Sequence, residues 1–201
     1  MVALDRWVLQ SACDQLARWQ RRFLDCRELK VSVNLSSRDL YQQYLLQDLK
    51  VLLAKTNLSP GALTLEITES MLIQDLTYAS QILSELKDCN LKISIDDFGT
   101  GYSSLNYLCH LPADILKIDR SFISNMQTGN RNQKVIQAIV ALSHQLQLQT
   151  VAEGIETAQQ MAVLKQLGCE YGQGRFFSAP LTADAVTAIL ARGGGARCRF
   201  P

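Results

Sequence analysis

A chain of 201 residues, 47 % of them hydrophobic, is long enough to bury one substantial core. Its formal net charge of +1 removes a strong basic field as an argument for nucleic acid, and no apolar run reaches the roughly 18–20 residues that cross a bilayer. Cys13, Cys26, Cys89, Cys109, Cys169 and Cys198 include no close pair of the zinc or redox kind, so they read as small buried hydrophobes of a reducing, cytoplasmic compartment.

The N-terminal stretch carries Asp5 and Arg6 early and reads as an amphipathic helix over 4–23, with Leu4, Trp7, Val8, Ala12, Leu16, Trp19 and Phe23 near helical spacing. KVSVNLS (30–36) alternates as a strand. Ser36 followed by Asp39 resembles a capping box that opens a second helix with Leu40, Tyr44, Leu45, Leu49 and Leu52 on its apolar face. LTLEIT (63–68) is the next strand, followed by a helix carrying Ile82, Leu83 and Leu86. KISIDDFGTGYSSL (92–105) starts as the third strand and turns into a glycine loop. ILKID (115–119) is the fourth, and a longer helix with Val135, Ile139, Leu142 and Leu146 follows. QTVAEGI (149–155) is the fifth, and a helix over 157–167 stops at Gly168. EYGQGRFF (170–177) is the sixth strand, and a last helix spans about 183–191. The expectation is one domain over 1–190 and a disordered tail over 191–201.

Alternating strands and helices predict parallel strands joined by right-handed crossovers. One strand face is apolar (Val31, Val33, Leu63, Leu65, Ile93, Ile95, Leu116, Ile118) and the other polar (Asn34, Glu66, Asp96, Lys117). A sheet with helices outside and polar groups near its strand ends suits a barrel holding a site at the C-terminal ends of its strands. Asn34, Glu66, Asp96, Lys117, Glu153 and Gln173 all lie late in a strand or just beyond it. About six strands are visible where such a barrel closes on about eight, so the reading is a (β/α)8 barrel short of about two strands before Met1.

Asn34, Glu66, Asp96 and Asp97 form a hard, oxygen-rich donor set that suits magnesium, manganese or calcium better than zinc. Carboxylates held close without a cation push at least one pKa up. Lys117 and Asp119, two apart, are expected on one strand face, with the lysine neutralising charge or orienting an attacking water. The assembly suits in-line attack on a phosphodiester under one or two metals. Each residue also has a plainer reading: Asn34 as a cap, Glu66 as the ion-pair partner of Lys117. DDFG lacks the other kinase elements, and GTGYSS lacks the lysine of a phosphate-binding loop. Recurrence of polar groups at equivalent places on successive strands favours a site.

The motifs SVNLS, LEITES, IDDFGTGYSSL, LKIDRSFI, VAEGIET and GQGRFF, in this order, resemble the EAL domain, the bacterial cyclic di-GMP phosphodiesterase, over nearly the whole chain. The resemblance implies an EAL-type TIM-barrel-like α/β fold and linearisation of cyclic di-GMP to pGpG with Mg2+ or Mn2+ at a two-metal site. It implies Asn34, Glu66, Asp96 and Asp97 as metal ligands, with Asp96 bridging two cations. Glu153 matches the glutamate that supports the second metal or its water, Lys117 the lysine beside the catalytic water, and Asp119 joins these two as catalytic. Glu156 and Gln173 match further active-site positions. Glu69 matches the anchor of the loop after the aspartate pair, to which Gly99, Thr100 and Gly101 belong. That loop implies a homodimer contact, and neither a nucleic-acid polymer nor a membrane segment is expected.

The Glu-Ala-Leu motif that names the family is not in the chain. The expectation is therefore a domain cut short at its N-terminus, with impaired hydrolysis. Its rivals are an inactive cyclic di-GMP-binding or protein-interaction module, and a gene fragment.

Overall fold

A computed structural model describes residues 2–42, 44–59, 61–100, 108–126 and 131–192. The described residues form two units, one drawn from 2–93 and 182–192, the other from 94–181.

The first unit opens with α1 (Val2–Arg22), whose Asp5 and terminal Arg21 and Arg22 complement the helix dipole. Its buried stripe is Leu9, Cys13, Leu16 and Ala17, while Leu4, Trp7 and Val8 are exposed. Burial thus falls on the face next to the expected one. Burial, and then the neighbouring Asp14, push the Cys13 thiol up to about 11, so it stays a protonated apolar filler. Strand β1 (Val31–Asn34) pairs in parallel with β2 (Leu63–Thr68), Val31 opposite Leu63 and Asn34 opposite Glu66. The expected single helix after β1 is two. The first, α2 (Ser37–Leu40), is capped by Ser36, which accepts from the Asp39 N–H; α3 (Leu45–Thr56) then ends on left-handed Asn57. Next come α4 (Glu69–Gln74) and α5 (Leu76–Asp88), the latter capped by Asp75 and burying Ala79, Ile82, Leu83 and Leu86. The last helix of this unit covers Ala183–Ala191, as expected, and is joined to α1 by the Trp19 Nε1–Thr187 Oγ1 hydrogen bond of 2.8 Å.

Strand β3 (Lys92–Phe98) enters the second unit at Ser94. There it pairs in parallel with β4 (Ile115–Ile118), β4 with β5 (Gln149–Ala152), and β5 with β6 (Tyr171–Gly172). Between them lie α6 (Arg120–Ser124), α7 (Arg131–Gln145) and α8 (Ala158–Gln166). Helix α7 buries Ile136, Ile139, Val140 and Ser143, again a face one position from that expected. The sixth strand is two residues long where 170–177 was expected, because after Gly172 the backbone turns at Gly174 against Ile155. The chain beyond 192, most of the expected tail, lies outside the described residues, as does Cys198. No disulfide joins the cysteines described.

The outer side of β5 carries a polar lock. Glu170 accepts from the N–H and hydroxyl of Thr150, at 2.8 and 2.5 Å, and pairs with Nε2 of His144 at 2.8 Å. Burial pushes the Glu170 carboxyl up, but the Thr150 donors outweigh it and hold it below its ordinary 4.5. A carboxyl lowered on folding stabilises above its unfolded pKa, and that contribution is lost as pH falls through the folded value. Urea midpoints should therefore fall below about pH 4.5, and less steeply in Glu170→Gln. Equal slopes in the two proteins would rule the lock out.

Candidate metal centre

The geometry of the acidic pair begins with a bulge in β3. Ile95 is opposite Leu116, but Phe98 is opposite Ile118, so three steps along β3 match two along β4. The extra residue is taken up at Asp97, whose φ is +53°. A regular strand would send Asp96 and Asp97 to opposite faces. The left-handed turn, which aspartate tolerates better than most residues, re-aims the second carboxylate. The sequence suggested that the strand ends at Asp97 and that the glycines behind it make the turn. Instead the strand runs on to Phe98, and Asp97 itself supplies the turn.

Carboxylate oxygens of Asp96, Asp97 and Glu153, from the ends of β3 and β5, consequently lie within 4.8 Å of one another. Lys117, buried on the intervening β4, reaches two of them: Nζ is 3.1 Å from Asp96 Oδ2 and 2.7 Å from Glu153 Oε1. The other Asp96 oxygen accepts the Asp97 N–H at 2.9 Å. Burial raises the Asp97 carboxyl, Asp96 and Asp119 raise it further, and Lys117 only partly opposes them. Three carboxylates facing one ammonium leave a negative surplus in an oxygen donor set that could hold a metal ion.

Asp119, expected on the strand with Lys117, falls outside it because β4 ends at Ile118. It lies one residue past β4 and caps α6, its Oδ1 accepting the Ser121 N–H at 2.9 Å. Burial raises its carboxyl, but the Ser121 hydroxyl and then the N–H groups of Ser121 and Arg120 outweigh this and hold it below the ordinary range. Gln173 is exposed just past β6, its N–H donating to Ala152 O and its own carbonyl accepting from Ile155 N. Glu156 is exposed, and its N–H donates to Gln160 Oε1. Thr100 closes the turn behind the bulge, donating its hydroxyl to the Asp97 carbonyl at 2.8 Å. Gly101 and the rest of its loop through 107 lie outside the described residues. In the first unit, Asn34 ends β1 and is the register partner of Glu66 within β2, Asn34 exposed and Glu66 buried. Glu69 is the buried first residue of α4.

A family model described as the EAL domain matches residues 1–180. The chain belongs to the EAL domain family. Among curated relatives it is 41 % identical over 184 residues to the signaling protein YkoW of Bacillus subtilis, covering 92 % of this chain and 23 % of that protein. It is 40 % identical over 187 residues to the cyclic di-GMP phosphodiesterase NbdA of Pseudomonas aeruginosa, covering 93 % and 24 %. The chain thus spans about a quarter of the length of these relatives. Among solved structures, the EAL domain of Mycobacterium smegmatis DcpA matches with a TM-score of 0.88 and 34 % identity over 98 % of this chain and 86 % of that one. The PaMucR phosphodiesterase in complex with c-di-GMP matches with a TM-score of 0.87 and 39 % identity over 92 % and 74 %. The expected α/β, TIM-barrel-like EAL fold is therefore the fold of this chain. No helix among the described residues is long and apolar enough to cross a membrane.

Sequence reasoning missed several supports of this EAL centre. Helix α6, with Phe122 and Arg120, is too short to show periodicity. The capping box of Thr157 and Gln160 was legible as T-x-x-Q. An acidic pair in the first unit also escaped notice: the Ser36 hydroxyl is 2.9 Å from Asp5 Oδ2 and 2.9 Å from Asp39 Oδ2. Burial and the Asp5 carboxylate raise the Asp39 carboxyl, while hydrogen bonding from Asp39 and Ser36 lowers that of Asp5.

Proposed function

We propose that this EAL domain hydrolyses cyclic di-GMP to linear pGpG with Mg2+ or Mn2+. The observation that carries the reading is the convergence of Asp96, Asp97 and Glu153 around buried Lys117. Asp96, Asp97 and Glu153 would hold the cation, and we assign Asn34 and Glu66, further oxygen donors paired in register on β1 and β2, to metal binding as well. When bound, such a cation lowers the pKa of a coordinated water and neutralises charge on the phosphoryl oxygens. Lys117 holds a positive charge where the phosphorane gains negative charge, and its contacts to Asp96 and Glu153 fix its ammonium in place. Glu153, paired with that ammonium through Oε1, accepts a hydrogen bond from the attacking water. The water oxygen bonds to phosphorus and gives up one proton to solvent, the bond from phosphorus to a ribose 3′ oxygen breaks, and that oxygen takes up one proton from solvent. We assign Asp119, Glu156 and Gln173, beside the β4 and β5 ends, to substrate and water contacts, and Glu69, Gly99, Thr100 and Gly101 to support of the loop behind Asp97. The same reading takes in a cytoplasmic setting and a homodimer formed through that loop.

The test is chromatography of cyclic di-GMP incubated with the chain and Mn2+ or Mg2+. Asp96→Asn should cut pGpG formation at least about a hundredfold, and chelation should abolish it. Saturable binding of cyclic di-GMP without any pGpG would overturn the phosphodiesterase reading in favour of a binding module.

A further inference from the structure

We propose that the single-turn helix α6 is a bracket that sets the spacing of the acidic cluster, with Phe122, Arg120 and Gln160 as positioning residues for the metal. The inference rests on the metal-binding reading above. Both strands that supply the cluster pass through a glycine just beyond their carboxylates, Gly99 two residues after Asp97 and Gly154 directly after Glu153. Both glycines have left-handed backbones, with φ of +94° and +72°. A methyl group on Gly99 would lie 2.8 Å from Cε2 and 2.9 Å from Cζ of Phe122, so the ring edge rests on the glycine backbone. A methyl group on Gly154 would lie 2.6 Å from Cβ of Arg120. Arg120 and Phe122 are two apart on one short helix, so a single turn touches the backbone beyond both halves of the cluster.

The helix is itself fixed at each end. Asp119 caps its start through the Ser121 N–H. At its other end, Gln160 Nε2 donates to the Ile123 carbonyl at 3.1 Å. The same Gln160 side chain accepts the N–H groups of Glu156 and Thr157 through Oε1, at 2.8 and 3.0 Å. One amide thus ties α6 to the loop that follows Glu153. The chain of contacts runs from the Asp97 turn through Phe122, α6 and Gln160 to the Glu153 turn. Lys117 lies on β4, which leads directly into α6, between Asp96 and Glu153. Contacts to glycine backbone fix a distance by shape, because a close-packed neighbour transmits displacement. Phe122 is only half-buried, so its contact contributes position more than burial energy. Ligand sets for a cation tolerate misplacement of about half an ångström, which the ring edge controls.

The experiment is titration of the chain with Mn2+ alone, reading free Mn2+ by electron paramagnetic resonance, beside circular dichroism and a melting curve. Phe122→Ala should weaken Mn2+ binding about tenfold while remaining folded, and Phe122→Leu should recover part of the loss. Gly99→Ala pushes the turn from the opposite side and should also weaken binding. In the double variant the new methyl occupies space the ring has left, so its affinity should exceed that expected from adding the two single effects. If Phe122→Ala does not fold, Gln160→Leu cuts the tie from the other end and should show the same weakening. Folded variants that bind Mn2+ within about twofold of the parent, or strictly additive losses, would overturn the bracket. A parent chain that binds no Mn2+ would overturn the metal reading and the bracket together, an outcome distinct from the first because the parent itself is silent.

Discussion

Replacing Lys117 by alanine should lower cyclic di-GMP turnover about a thousandfold at saturating Mn2+ while leaving Mn2+ bound. The two readouts separate because of what the ammonium touches. It lies 3.1 Å from Asp96 and 2.7 Å from Glu153 and is buried, so its removal exposes those carboxylates to each other and to Asp97. Breaking a buried ion pair from one side costs about 3–5 kcal/mol, because the remaining charges have no compensation. A divalent cation can supply that compensation, so metal binding should persist. Added Mn2+ should then raise the melting temperature of Lys117→Ala more than that of the parent, through binding to the folded state alone. Catalysis has no such substitute: the positive charge that meets the growing phosphorane charge is gone. Turnover within about tenfold of the parent would show that Lys117 only balances the resting carboxylates.

Much of this centre was legible before any coordinates, and the reasons for the rest are specific. Strands β2 and β4 stood out because Leu63, Leu65 and Ile67, or Leu116 and Ile118, alternate with polar residues that share one face. Asp96, Lys117 and Glu153 were legible as a group because each lies late in a strand or just beyond it, and parallel strands place those parts together. Asp97 was harder. Alternation presumes a regular pleat, and a bulge is invisible in the letters, so its turn was credited to the glycines behind it. Asp119 reads as part of the strand for the same reason, since nothing in KIDRS marks where β4 ends at Ile118 and yields to a one-turn helix. On α1 and α7 the apolar residues occupy two adjoining faces, and helical spacing cannot choose between them. Tertiary packing chose Leu9, Cys13 and Leu16 on α1, and Ile136, Ile139 and Val140 on α7.

The sixth strand shows the same limit at a glycine and leads to a large effect on stability. GQGRFF looks like a strand because its aromatic residues favour one, yet pairing with β5 ends at Gly172. Beyond it, Gln173 donates to Ala152 O at 2.8 Å and accepts from Ile155 N at 3.0 Å, which brings the next residue onto the Ile155 backbone. A methyl group on Gly174 would lie 2.1 Å from the Ile155 carbonyl oxygen and 2.3 Å from its nitrogen. Neither atom can retreat cheaply. The nitrogen is held by Gln173 O, and the oxygen accepts the Phe176 N–H at 3.0 Å. Gly174→Ala must therefore break one of these hydrogen bonds or displace the loop that follows Glu153. Its cost should be about 3 kcal/mol or more, in the range of severe single substitutions. For a chain of 201 residues that corresponds to a melting temperature about 6–12 °C below the parent. Because the displaced loop carries Glu153, Mn2+ binding should weaken along with stability. A folded Gly174→Ala melting within about 2 °C of the parent would mean that this loop yields, and that the close approach does not hold the end of β5 in place.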